Sequence, residues 1–324
     1  MDDPLGAFVR DRVAGGEPDR VAGGEPDRVA GGEPDRVGLG WRGDLAAGIF
    51  AHLDRIDLVE LIADDYFKAD AKTLRPLQLL SSQVPLTLHG VAMGLAGSEP
   101  VDDARLLAMG RLIDALKPES WSEHLAFVRS GGFEIGHLAA PPRRESNVAA
   151  AIANIERATR VIAAAPRLEN IATLVEPPGS PLSEPAWTGT ILDGAGAPML
   201  LDLHNLYANA RNTGQSPEAL LAAMPLARVQ GVHLSGGHWI DEPAMSGRTA
   251  GQRLLDDHVH DVPEDVFGLL AVLAARVPQP LEVIIERDGA YPDFDVLLGQ
   301  VDAARAALAR GRAHRHPATL KAAA

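Results

Sequence analysis

Cysteine is absent from this 324-residue chain and aromatic residues make up only 4% of it. Nor does any apolar run reach the ~18 residues a membrane-spanning helix needs. Each absence removes a class of function. Without thiols there is no disulfide framework, zinc–thiolate site, iron–sulfur cluster or cysteine nucleophile. The opening stretch, MDDPLGAFVRDR, has no basic region followed by an apolar core, so a cytoplasmic setting without membrane attachment is expected. Positive charge is also short: 30 Lys and Arg stand against 44 Asp and Glu, a net charge of −14. That balance disfavours nucleic acid, whose phosphates are neutralised by clustered cations. No GxGxxG follows a first strand, no Walker sequence occurs, and no Ser, His and Asp order stands out for nucleophilic hydrolysis.

What is present begins with a perfect octapeptide repeat. DRVAGGEP occupies residues 11–18, 19–26 and 27–34, and Asp35-Arg36-Val37 begins a fourth copy. One valine per unit cannot build a core, and eight residues is too short a period for a familiar solenoid. Residues 1–36 are therefore expected to form a disordered, low-complexity leader. From Val37 onward, short β-branched runs alternate with longer segments of helical period. The strand candidates are 37–41, 58–63, 85–91, 120–127, 167–173, 198–206, 229–235 and 281–287. Helical segments are expected at 44–56, 66–82, 101–116, 144–165, 184–192, 217–224, 263–276 and 293–309. Eight alternating units predict a single (β/α)8 TIM barrel over residues 37–309, with a doubly wound open sheet as the other arrangement. Residues 310–324 read as a flexible basic tail.

Eleven histidines supply the chemistry, together with acids at strand ends. Seven of the eight candidate strands place His, Asp or Glu within or just past an apolar run: Glu60 to Asp64, His89, Glu123-His124, Glu169, Asp202 to His204, His233 and Glu286. In such barrels functional groups gather at the carboxyl ends of the strands. Bare buried charge costs several kcal/mol, so a convergence of carboxylates calls for cations. Ligation by imidazole and carboxylate suits Fe, Mn, Zn or Co better than Mg or Ca, and the number of ligands predicts two or three ions. His89, His124, Glu169, Asp202, His233 and Glu286 are the main candidates. Asp64, Glu60, His204 and His238 are expected to orient them, and the stretch from Asp256 to Asp261 is expected to add ligands. Asp202, His204 and Asn205 at the sixth strand are the expected catalytic groups. The polar segment that follows, with Asn209, Arg211 and Asn212, reads as a substrate-facing loop, and His238 joins it. His52, His137, His314 and His316 read as surface residues.

The strings LTLHGVAMGLAG, SWSEHLAF, LENIAT, LLDLHNLYANARNTG, VHLSGGH, DDHVHDVPEDVFGLL and IIERD resemble the DUF692 (UPF0276) family, whose characterised members are multinuclear non-heme iron-dependent oxidative enzymes such as the methanobactin biosynthesis enzyme. The resemblance runs from about Val37 to Leu298. It implies a TIM barrel holding two or three iron ions in mixed Fe(II)/Fe(III) states, with O2 as co-substrate. The implied reaction is oxidation of a ribosomally synthesised precursor peptide, at cysteine or another side chain, with a partner protein presenting the peptide. The implied ligands are His89, His124, Glu169, Asp202, His233, Asp256, His258 and Glu286. Three places depart from the family pattern: Asp64-Asp65-Tyr66, the extra glycine in Gly236-Gly237, and the proline-rich VEPPGSPLSEP. A divalent-metal sugar isomerase, a trinuclear-zinc phosphodiesterase and a non-enzymatic metal-dependent scaffold are the alternatives that the residues alone leave open.

Overall fold

A computed structural model describes residues 8, 34–242 and 251–315. Most of the repeat leader lies outside the described residues, as do His316 and the rest of the tail. Eight parallel strands close into a barrel: β1 (Arg36–Gly40), β2 (Val59–Ile62), β3 (Leu86–Gly90), β4 (Ser120–His124), β5 (Arg167–Glu169), β6 (Met199–Asp202), β7 (Val229–Leu234) and β8 (Glu282–Ile285). The first and last strands complete the wall, with Val37 opposite Val283 and Leu39 opposite Ile285. Outside it lie α1 (Ala46–Ala51), α2 (Ala71–Ser81), α3 (Asp103–Leu116), α4 (Glu145–Ile162), α5 (Glu184–Ala195), α6 (Leu203–Thr213), α7 (Pro217–Ala223), α8 (Glu264–Arg276) and α9 (Phe294–Ala313). Two antiparallel hairpins rise from the barrel, one of Phe127–Ser130 with Phe133–Ala139, the other of Gly237–Glu242 with Gly251–Asp256.

The TIM barrel stands as the sequence predicts, with specific corrections. The strand expected at 198–206 stops at Asp202, because the Asp202 carboxylate accepts the Asn205 N–H at 2.6 Å and starts a helix. The expected polar loop after it is therefore α6. The strands expected at 120–127 and 167–173 stop at His124 and Glu169. The segment expected at 44–56 is a short helix between two 3-10 turns. The last helix continues to Ala313, four residues beyond the expected boundary at 309.

Burial follows the two-residue period of the strands. Leu39, Leu61, Leu88, Val232 and Val283 face the helices and are fully buried there. The alternate positions face the barrel interior. At its amino end Arg36 and Arg167 both pair with Glu282 and Arg36 also reaches Glu119, which closes that end with matched charge. At the other end the alternate positions carry histidine and carboxylate. The chain leaving β3 is held by one buried amide. Asn154 of α4 accepts the Val101 N–H at 3.1 Å and donates to the carbonyls of Leu95, Gly97 and Glu99 at 3.0–3.3 Å. Asn154→Ala leaves these groups without partners and is expected to cost about 3 kcal/mol in chemical denaturation. A loss below about 1 kcal/mol would show that the clamp is not structural.

Candidate metal centre

The inward positions at the carboxyl ends of β2, β3, β4, β5, β6 and β7 are Glu60, His89, His124, Glu169, Asp202 and His233, joined by Glu286 just past β8. All seven are buried. Glu169 stands at their middle and its two oxygens face different neighbours. Oε2 lies 3.2 Å from His124 Nε2 and 3.4 Å from His89 Nε2. Oε1 lies 3.2 Å from His233 Nδ1, which is also 3.1 Å from Glu286 Oε2. Two ligand groups result, His89–His124–Glu169 and Glu169–Asp202–His233–Glu286, each with donor atoms within 4.8 Å of one another. Glu60 adds a third grouping with His89 and His233, its Oε1 2.8 Å from His233 Nε2.

Hydrogen bonding alone does not satisfy this arrangement. Among the described residues, Asp202 Oδ2, His124 Nδ1 and His204 Nε2 are buried atoms without a hydrogen-bond partner, and Glu169 Oε2 and His233 Nε2 have only ion-pair contacts, with His89, His124 and Glu60. Such orphans are rare in native interiors and call for an explanation such as an ion. Two unit charges of one sign about 4 Å apart repel by about 4 kcal/mol even at an effective dielectric of 20. The strain shows in the ionisation of the groups. Burial, Asp256 and Glu169 push the Asp202 carboxyl well up. Burial opposes the charging of His124, but Glu169, Glu123 and Glu286 outweigh it and raise its pKa to about 9. His233 is likewise raised, against burial, by Glu286, Glu60 and Glu169. Cations among these groups would replace the protons and relieve the repulsion together, and the all-N/O donor set fits Fe, Mn, Zn or Co.

The surroundings aim the donors. Ser122 Oγ donates to the Leu88 carbonyl at 3.4 Å, so its oxygen accepts from His89 Nδ1 at 2.8 Å. That tautomer turns the Nε2 lone pair of His89 toward Glu169. Beyond β7, the Asp256 carboxylate takes His204 Nδ1 at 2.7 Å on one oxygen and His258 Nε2 at 2.9 Å on the other. His258 Nδ1 faces Glu286 at 3.6 Å and Asp288 at 3.2 Å, and Asp288 pairs with Arg42. Asp64 accepts the Val91 N–H at 2.8 Å, which steadies the chain after His89.

Other expected site residues have different employment. Asn209 donates to the Ile171 carbonyl at 2.9 Å and accepts the Thr173 N–H at 2.6 Å. Asn212 holds both backbone groups of Leu254. Arg211 sits by Tyr207 and Asp265. These side chains brace neighbouring segments because their stretch is a helix. His238 turns to Asp257. Asn205 does face the centre and its Oδ1 is unpartnered. Sequence reasoning underrated Glu60, which the barrel interior brings to His233, and Glu123, a fully buried carboxylate that accepts the His124 N–H at 3.0 Å. Glu60 sits in the apolar strand VELI, where a buried acid is itself the signal, whereas the strand SWSEH around Glu123 is mostly polar and gives none. The extra glycine at Gly236-Gly237 also finds its reason. A Cβ on Gly236 would collide with the His260 and Asp261 carbonyls, and one on Gly237 with the Leu255 carbonyl and the His204 ring.

A cavity of about 570 Å³ opens beside the centre. Phe127, Ala139, Ile171, Leu174 and Val175 form apolar walls, while His124, Glu169, Asp256 and His258 reach it from the barrel.

Comparison with known proteins bears on this site. A family described as "RiPP precursor modification enzyme MbnB/TglH/ChrH" matches residues 36–309. A UPF0276 protein of Caulobacter vibrioides is 32% identical over 257 residues, covering 79% of this chain and 88% of that protein. Another from Streptomyces avermitilis is 31% identical over 278 residues, covering 84% of this chain but 54% of that protein, so the chain spans about half the length of this relative. Among solved structures, L-ribulose 3-epimerase superimposes with a TM-score of 0.54 at 13% identity, over 90% of this chain and 98% of that one. At that identity the likeness is one of fold alone.

Ligation requires a neutral imidazole, so metal uptake at pH 7.5 must displace the proton that the raised pKa of about 9 keeps on His124. Calorimetric titration with a divalent ion in buffers of different ionisation enthalpy is expected to show net proton release, with affinity rising toward pH 9. A heat independent of buffer would contradict this electrostatic reading.

Proposed function

Because this chain belongs to the MbnB/TglH/ChrH family of RiPP precursor modification enzymes, we propose that it is a multinuclear iron- and O2-dependent oxidase acting on a ribosomally synthesised precursor peptide in the cytoplasm. Cysteine or another side chain of the peptide would be the target, and a partner protein would present it. The observation that carries the multinuclear reading is the Glu169 carboxylate, with one oxygen toward His89 and His124 and the other toward His233. His89, His124 and Glu169 would hold one ion, and Glu169, Asp202, His233 and Glu286 a second. Asp256 and His258, braced by His204, Asp288 and Arg42, stand where a third ion or an outer ligand would be. Bound iron would supply O2 reduction and a Lewis-acidic place for a substrate thiolate.

The protein's own groups do the rest. The apolar walls at Phe127, Ile171, Leu174 and Val175 would strip water from an entering side chain, which restricts side reactions of an oxidant. Asn205 Oδ1, buried and without a partner, is placed to accept a hydrogen bond at the same cavity. His204 keeps Asp256 oriented through its Nδ1 contact. Asp202 combines two duties, since one oxygen caps α6 and the other is free to ligate.

The test is anaerobic loading with ferrous iron followed by O2 uptake in the presence of the precursor peptide encoded nearest the gene. The expected result is peptide-dependent O2 consumption with a mass change on the peptide. Glu169→Gln is expected to slow it by about 100-fold or more, beyond what removal of a ligand-orienting neighbour usually costs. Turnover that proceeds equally without O2, or with zinc alone, would contradict the proposal.

A further inference from the structure

Among the described residues, a second group of side chains of metal-ligating type lies outside the central one and shares no residue with it. We propose that His238, Asp257 and His260 form an outer site for a single divalent transition-metal ion of the Zn2+ type. His238 Nδ1 lies 2.5 Å from Asp257 Oδ2, and His260 Nδ1 lies 2.9 Å from that oxygen and 3.0 Å from its twin. The two imidazole rings are 5.2 Å apart. Donor atoms from all three residues fall within 4.8 Å of one another.

The backbone separates this site from the centre. His258 has φ of 55°, an uncommon left-handed conformation for a side-chain-bearing residue, and it bends the loop between two faces. Asp256 and His258 face the centre, whereas Asp257 and His260 face away from it toward His238. Gly236 and Gly237 let the second hairpin start against this loop, because no Cβ fits at either position. The His258 N–H bonds the Gly236 carbonyl at 3.0 Å, and the Val259 N–H bonds Asp257 Oδ1 at 3.0 Å. The carboxylate is thus fixed before any ion arrives.

Exposure sets the kind of ion and its access. The Asp257 side chain is 13% exposed, against 42% for His238 and 50% for His260. The carboxylate forms a floor and the imidazoles form two walls, with the remaining directions open to water. Two imidazoles and one carboxylate with open positions match a three-ligand transition-metal site completed by water, not an oxygen-rich site for Ca2+ or Mg2+. Asp257 lies in sequence between Asp256 and His258, so an ion here would stiffen the loop that carries both.

The test uses the full chain with its centre loaded with iron, titrated with Zn2+, desalted and measured for both metals. Wild type is expected to retain one zinc equivalent more than His260→Ala or His238→Ala. Each variant should weaken zinc binding by more than about tenfold and leave the iron content unchanged. Glu169→Gln, which disables the centre, should retain the outer equivalent. Equal zinc retention in wild type and both histidine variants would overturn the proposal and leave the cluster as a hydrogen-bonded brace. Loss of the outer equivalent in Glu169→Gln together with an unchanged count in His260→Ala would overturn it equally, since the zinc would then sit in the centre.

Discussion

Mutual repulsion among buried carboxylates is the constraint on which this molecule is built. Glu60, Glu169 and Asp202 arrive on three barrel strands and Glu286 just past a fourth, and they end in one small volume with His89, His124 and His233. Protons on the imidazoles and on Asp202 can neutralise part of that charge, as the raised values of His124, His233 and Asp202 indicate. Protons alone still leave Asp202 Oδ2 without a hydrogen-bond partner among the described residues. Cations would satisfy the charge and the orphaned atoms at once, and would make stable a cluster that is costly to an ordinary protein interior.

The barrel makes the convergence possible by geometry. Alternation along each strand sends apolar side chains to the helices and the next residue inward, so one position per strand suffices to deliver a ligand. At the amino end the same inward rows carry Arg36, Arg167 and Glu282; both arginines pair with Glu282, and Arg36 also pairs with Glu119. One end is thus internally neutral and locked, while the other holds a surplus of negative charge. The connections at that second end are correspondingly long, and they include both hairpins and the apolar cavity walls.

Much of this was legible in the chain. The apolar runs marked all eight strands, and the acids and histidines within them marked the positions that converge at one end of the barrel, because a polar residue inside an apolar run has few other cheap explanations. The stretch from Asp256 to Asp261 stood out by its place next to the strand ends, and the family motifs then singled out Asp256 and His258 within it. Other features were not legible. Asn209 and Asn212 read as substrate contacts because an isolated polar segment gives no sign that Asp202 caps it into a helix. Glu60 lay too early in its strand to be recognised as inward-facing without the register that sets it against Thr87, whose hydroxyl it accepts at 3.3 Å. His238 and the paired glycines before it were legible, but not the hairpin that they start, because the carbonyls that exclude a Cβ at Gly236 and Gly237 come from residues 18 or more positions away.

The central claim is that Glu169 is shared between two ions. Anomalous diffraction at the iron edge, from crystals of the chain grown anaerobically with ferrous iron, tests it most directly. The account predicts at least two iron peaks flanking the Glu169 carboxylate, one against His89 and His124 and the other against Asp202, His233 and Glu286. A single peak, or peaks that do not touch Glu169, would contradict it.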